Sequence, residues 1–468
     1  MKRSRSSARR QDHAWPNRLL SVALFSVACS ALAQEPPAAK AASPESILDT
    51  ADNILRQMSR ITGLPIKSPL KKRLIGKPEI EKYLKDNLHD EYTPQDLHGE
   101  EAALKAFGLV GPEFNLENFL VSFYTEQAAG FYDPVRKTMF MADWVEPDQQ
   151  KMVLAHELTH ALQDQSFDLW KFMHAARDDD DSTTAREALV EGYAMVAMVQ
   201  AMMGTVAVEK LSSLDATLDQ VVGQQMAAYP VFSKAPFFLR FETLFPYVQG
   251  MHFVLAGLQN GGWSRVNQTF GEPPASTNQI FQPGLYFESS HDETRAGAGT
   301  VSGRSQPGLL PLALPPPAAL EHAAGLKRVE ANVMGELGYY ALVGQFISPE
   351  EAQKTTTAWV ADRYLVYEGP SPGQFVLIAR TRWTNAQAAR NFCEDYRAVL
   401  GRKSPGMAQD ADRASRAKAG PGSGSEVLLQ TAGPRRSILI AQENECRWAE
   451  GVPSEQADGI AKWLTLLH

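Results

Sequence analysis

His156-Glu157-Leu158-Thr159-His160 is an H-E-x-x-H pentapeptide inside a stretch with helical periodicity. On a helix, residues four apart lie one turn apart on the same side, so both imidazoles reach a single metal ion. The glutamate between them then sits beside that ion, placed to take a proton from a metal-bound water. The neighbouring residues agree with a helix. Glu146-Pro147-Asp148 offers a start, since proline and acids suit the first turn. Leu154, Leu158, Ala161 and Leu162 form an apolar stripe for a core. His156 and His160 fall on roughly the opposite face, which is expected to look into a cleft.

A catalytic zinc keeps three protein ligands and one open position, so a third ligand is needed. The next helical segment, from about Ser182 to about Gly204, carries Glu187 and Glu191 one turn apart. Thr184-x-x-Glu187 has the form of a capping box, which would engage Glu187 at the helix start. Glu191 is followed by the apolar run Ala194 to Val199, where an unpaired acid is expensive. Glu191 is therefore the expected ligand. The alternative is that Glu191 forms a buried salt bridge with Arg186 or Arg240. Asp164, one turn after His160, and Glu187 are candidates to orient the ligands. Tyr247, His252, Tyr286 and His291 are candidate donors to a transition-state oxyanion, and the sequence does not choose among them.

His156-Glu157-x-x-His160, followed by Leu189-Val190-Glu191-Gly192-Tyr193-Ala194, resembles the gluzincin zinc metallopeptidases, whose aminopeptidase branch has a Glu-Gly-aromatic-Ala core in its second motif. The intervening stretch is longer here, which sets the chain apart from that branch. The resemblance implies a zincin-like core, with His156, His160 and Glu191 binding Zn2+ and Glu157 as general base. It implies a peptide or protein substrate. Phe245-Pro246-Tyr247-Val248-Gln249-Gly250, Gly261-Gly262-Trp263, Pro273 to Ile280 and Gly335-Glu336-Leu337-Gly338 resemble stretches of poorly characterised secreted bacterial H-E-x-x-H proteins. This wider and less specific likeness covers most of residues 110–400. Upstream, Ala128 to Tyr132 and Thr138 to Ala142 read as a hairpin, with Asp133-Pro134 marking the turn. Its edge strand either binds peptide by main-chain hydrogen bonds, as in zincins, or merely covers the core.

Lys2, Arg3, Arg5, Arg9, Arg10 and Arg18 precede a short apolar run, Leu19 to Ala33, that ends in Ala31-Leu32-Ala33. This is the pattern of a cleavable signal peptide over residues 1–33, leading to a secreted or periplasmic protein. No later segment reads as a transmembrane span. Removing the six basic residues and one acid of that segment leaves 40 basic against 53 acidic residues, a net charge of −13 that argues against nucleic acid. With 44% hydrophobic and 21% charged residues the composition is globular. Residues 34–44 read as a disordered leader, and 45–110 as a helical, charged N-terminal region or a prosegment. Residues 111–292 hold the catalytic core, 293–318 a Gly/Pro-rich linker, and 319–468 a C-terminal α+β unit, so the fold class is α+β. That last unit is expected to hold strands at Tyr364–Glu368, Phe375–Trp383, Glu426–Gln430 and Ser437–Gln442, and helices at Asn385–Leu400 and Ser454–Leu467. The acidic run Asp178 to Asp181 reads as a solvated loop, with a calcium site as the alternative. Cys393 and Cys446 remain after signal removal and either pair in an oxidising compartment or stay as buried thiols. Taken together, the expected activity is zinc-dependent peptide hydrolysis. The alternatives are a catalytically silent, metal-stapled binding protein and a zinc hydrolase acting on a non-peptide substrate.

Overall fold

The computed structural model describes residues 44–145, 147–176, 179–203, 229–288, 312–323, 325–403, 416–418, 426–432 and 435–467. The expected signal peptide, nearly all of the leader, most of the linker and His291 lie outside them. Two sheets and many helices make an α+β protein.

The chain enters through α1 (Pro44–Thr62), whose Ala51, Ile54, Leu55 and Met58 recur at helical spacing and are buried. Strand β1 (Lys71–Ile75) follows, inside a stretch whose sequence reads as helical. Helices α2 (Lys77–Glu91), α3 (Pro94–Phe107) and α4 (Leu116–Gln127) come next. Thr93 and Asp96 form a reciprocal capping box at the start of α3, and Gly108, at φ 75°, supplies the left-handed residue that ends it. The hairpin is present as β2 (Gly130–Asp133) and β3 (Thr138–Ala142). Its turn is closed by Asp133, whose Oδ1 accepts the N–H groups of Val135 and Arg136. β1 joins β3 in parallel and β2 joins it antiparallel, giving a small sheet in the order β1-β3-β2.

Beside this sheet lies a helical layer of α5 (Pro147–Phe167), α6 (Leu169–His174), α7 (Asp180–Met203), α8 (Pro230–Lys234) and α9 (Phe237–Gln259). α1, α5, α7 and α9 share one apolar core. The closest helix crossing is between α7 and α9. A Cβ on Gly192 would lie 2.0 Å from the carbonyl carbon of Gly250, and one on Gly250 would lie 2.0 Å from the Ala188 carbonyl oxygen. The backbones touch because neither position has a side chain.

The second unit is a seven-stranded antiparallel sheet, in the order β4-β5-β6-β10-β9-β8-β7. The strands are β4 (Lys327–Asn332), β5 (Trp359–Glu368), β6 (Phe375–Trp383), β7 (Arg416–Lys418), β8 (Glu426–Ala432), β9 (Arg435–Gln442) and β10 (Glu445–Pro453). Side chains alternate across it. Tyr364, Val366, Leu377 and Trp448 face α3 and the helices Gly335–Phe346 and Ala386–Lys403. Leu365, Tyr367, Ile378 and Ile440 face the C-terminal helix Ala457–Thr465. Leu314 and Leu320 pack on that second face, so the described end of the expected linker belongs to the core. A disulfide joins Cys393, on the helix Ala386–Lys403, to Cys446 of β10, with Cα atoms 5.7 Å apart.

Residues 45–110 are thus shared between the two units. α1 and β1 complete the first, while α3 packs against the second.

Candidate metal centre

α5 carries His156, Glu157 and His160, and α7 brings Glu191 to them. His156 Nε2 lies 3.0 Å from His160 Nε2 and 3.1 Å from Glu191 Oε2, and the third side of the triangle, His160 to Glu191, is 3.4 Å. Tetrahedral zinc with bonds of about 2.0–2.1 Å separates its ligand atoms by about 3.3 Å. The three atoms therefore have the spacing of one face of such a site. One proton cannot serve all three contacts, whereas one cation at their centre can. The donor set of two imidazoles and a carboxylate also matches a catalytic zinc, and these residues fit the metal their sequence implies.

His160 Nδ1 donates to Gln163 Oε1 at 2.8 Å, which leaves Nε2 as the lone pair facing the triangle. Gln163 in turn donates from Nε2 to the Val190 carbonyl at 3.1 Å, tying α5 to α7 beside Glu191. Gln163 is absent from the sequence-based candidates. A polar residue three positions after the second histidine, on its own helix face, is the signal that could have found it.

Charge in this centre follows from burial and proximity. Burial lowers the His156 pKa, against the pull of Glu191. Burial alone would lower His160 too, but the Glu191 carboxylate overrides it and raises His160 to about 9. Burial would raise Glu191, and the two histidines instead hold it well below the usual carboxylate range. The group thus favours one positive charge at its middle. Burial pushes Glu157 up to about 8, with Glu191 adding to the rise and His160 and the Tyr132 N–H opposing it. Glu157 Oε2 accepts the Tyr132 main-chain N–H at 2.7 Å, and its Oε1 is buried with no hydrogen-bond partner among the described residues.

Several expectations need correction. The metal-ligand face of α5 does not line an open cleft: His156, Glu157 and His160 are each 0% exposed, as are Leu158, Ala161 and Leu162 on the opposite side. From Met152 to Asp164 the helix is buried all round because β2, α1, α7 and α9 enclose it. Thr184 does not cap α7. It lies buried one turn inside a helix that starts at Asp180, and Asp179 Oδ1 accepts the Ser182 N–H instead. The capping argument for preferring Glu191 therefore fails, although Glu191 is the acid that meets the histidines. Glu187 stays one turn away, its carboxyl pushed well up by burial and by the charges of Glu191 and Glu242. Glu191 does not pair with Arg186, which donates to the Phe172 carbonyl and lies over the Phe172 ring.

Asp164 does not orient His160. It accepts from Tyr132 Oη at 2.7 Å, Lys137 Nζ at 2.7 Å and the Leu169 N–H at 3.1 Å, clamping the hairpin to α5. Asp180 and Asp181 are not solvated; both are buried, and Asp181 Oδ1 accepts from the backbone N–H and hydroxyl of Thr277. Of the four donor candidates, Tyr247 reaches the centre, its ring stacked on that of His156 at 6.2 Å. The Tyr286 hydroxyl donates to the Glu272 carbonyl instead. The pairing of Cys393 and Cys446 is present.

The sequence profile of a domain of unknown function, DUF8575, matches residues 323–446, a range that covers most of the seven-stranded sheet and omits the metal centre. No curated protein and no solved structure matches the chain.

Proposed function

We propose that this chain is an exported, zinc-dependent peptidase with a zincin-like core. The observation that carries the reading is the meeting of His156, His160 and Glu191 from two helices, with Glu157 buried beside them. A structural metal needs no such base, whereas hydrolysis does. The small sheet supports the same reading, because β2 is one of its two edge strands and lies against α5.

A zinc ion bound there would supply a Lewis acid and acidify a bound water. The residues do the rest. His156 and His160 bind through Nε2, with His160 held in that tautomer by Gln163. Glu157, whose buried Oε1 has no hydrogen-bond partner among the described residues, accepts the proton of the attacking water and returns it to the leaving amine. Tyr247, whose ring stacks on that of His156, is the residue this reading assigns as donor to the developing oxyanion. No described helix is long and apolar enough to cross a membrane.

The burial of all these groups favours a second reading, a catalytically silent protein stapled by its metal. One experiment separates the two. Purified wild type and Glu157→Gln are assayed for zinc by elemental analysis and for cleavage of a broad peptide library. The peptidase reading expects about one zinc per chain in both and cleavage only by wild type. Zinc in both without cleavage by either removes the peptidase reading and leaves the silent protein or a zinc hydrolase of a non-peptide substrate, and a zinc-free wild type sinks all three.

A further inference from the structure

A cavity of about 730 Å³ opens between the end of α3 and the seven-stranded sheet, within the size range of small-ligand pockets. Among the described residues its charged lining is Lys105, Arg402, Lys403, Arg435 and Arg436 against a single acid, Glu450. In a chain of net charge −8 this concentration of cations is the exception. Lys105 pairs with Glu101 at 2.7 Å and Lys403 with Glu450 at 2.7 Å. Arg402 and Arg435 have only main-chain carbonyl partners among the described residues.

Arg435 is held in place. Its Nη1 donates to the carbonyls of Phe375 at 3.1 Å and Gly451 at 3.0 Å. The second carbonyl is presented by an irregularity in β10 between Ala449 and Val452. Gly451 sits there at φ 70°, with no space for a Cβ, which would lie 2.2 Å from the Phe375 oxygen. Two carbonyls thus fix one nitrogen of the guanidinium and leave its Nε/Nη2 edge, two parallel N–H groups, for another partner. Partial burial without a carboxylate lowers the Arg435 pKa. Val110, Phe346, Phe375 and Leu377 supply an apolar wall to the same cavity.

We propose that this cavity binds a carboxylate borne on an apolar group, with Arg435 as the bidentate anchor and Arg402 as the second cation. A peptide C-terminus ending in an apolar residue and a fatty acid share that chemistry. The proposal does not rest on the peptidase reading, since none of the lining residues belongs to the metal centre.

The test is calorimetric titration of the whole purified protein with N-acetylphenylalanine, its carboxamide and decanoate. Saturable binding of either carboxylate is expected, with the carboxamide about tenfold or more weaker. N-acetylphenylalanine binding more tightly than decanoate assigns the site to peptide ends, and the reverse to fatty acids. Arg435→Gln and Arg402→Gln should each weaken the preferred carboxylate by about tenfold or more. Arg402 is exposed, so its variant keeps the test valid should loss of the Arg435 anchors disturb the sheet. No binding of either carboxylate, equal binding of the carboxamide, or unchanged affinity in both variants would overturn the proposal.

Discussion

The main-chain N–H of Tyr132 donates to the Glu157 carboxylate at 2.7 Å, so the edge strand of the small sheet and the base position of α5 occupy each other. An N–H pointing away from its own sheet is the group an added peptide strand would seek. Replacing Glu157 with glutamine keeps a carbonyl acceptor for it, whereas alanine leaves it buried and unpaired. Glu157→Ala is therefore expected to be about 1–3 kcal/mol less stable than Glu157→Gln, by urea unfolding. Equal midpoints would show that this hydrogen bond contributes nothing.

Zinc content should rank the acids and the orienting amide. His156→Ala and His160→Ala should empty the centre, and Glu191→Ala should weaken it strongly. Glu187→Ala, one turn removed, should be mild. Gln163→Leu frees the His160 ring and should cost about 10- to 100-fold in zinc affinity by competition with a chelator. Loss of zinc in Glu187→Ala with retention in Glu191→Ala would place the third ligand one turn earlier on α7.

Gly192 and Gly250 set the distance between α7, which carries Glu191, and α9, which carries Tyr247. Gly192→Ala and Gly250→Ala should each destabilise by at least the ~1–3 kcal/mol of an overpacked core, although alanine is the better helix former. Thermal unfolding measures this, and a stabilised variant would contradict the close crossing.

Burial foremost pushes Asp181 and Asp362 up to about 7, and Glu336 up to about 8. In the folded protein these acids keep protons that the unfolded chain has released above the ordinary carboxylate range. The folded state then binds more protons, so stability should fall as pH rises from about 5 to about 8. Urea midpoints across that range test the sign, and a midpoint that rises with pH counts against it.

The Cys393–Cys446 bond closes a sequence separation of 53 residues. Its reduction should lower stability by about 2–4 kcal/mol and add two hydrogens to the intact mass. In a chain that has lost residues 1–33, and with them Cys29, no free thiol should react with a maleimide before reduction.

Much of the centre was legible because its signals are local. The four-residue spacing of His156 and His160 fixes their geometry on any helix, and the apolar run that opens Phe375–Trp383 suits a buried strand. What was misread depends on partners distant in sequence. The acidity of Asp180 and Asp181 suggests solvent, yet Thr277, 96 residues on, pulls Asp181 inside. Gly335, at φ 70°, leaves room for that carboxylate, since a Cβ there would sit 1.9 Å from Asp181 Oδ1. Glu336 accepts from the side-chain amide of Asn278 at 2.6 Å. The stretches around Thr277 and Gly335, noticed for their likeness to other H-E-x-x-H proteins, thus build the joint between α7 and the second unit. β1 escaped notice because only Ile75 of its five residues is fully buried, so its sequence lacks a core pattern.

That strand bears on what N-terminal trimming would do to the first unit. Many secreted hydrolases wait for an N-terminal segment to be cut away. Here β1 is hydrogen-bonded along β3, and α1 lies in the apolar core that includes Leu154, Leu158 and Leu162 of α5. Trimming past β1 would open the metal helix to water on one side and strip a strand from the small sheet. Loss of the N-terminal region would therefore cost the first unit part of its core and part of its sheet at once.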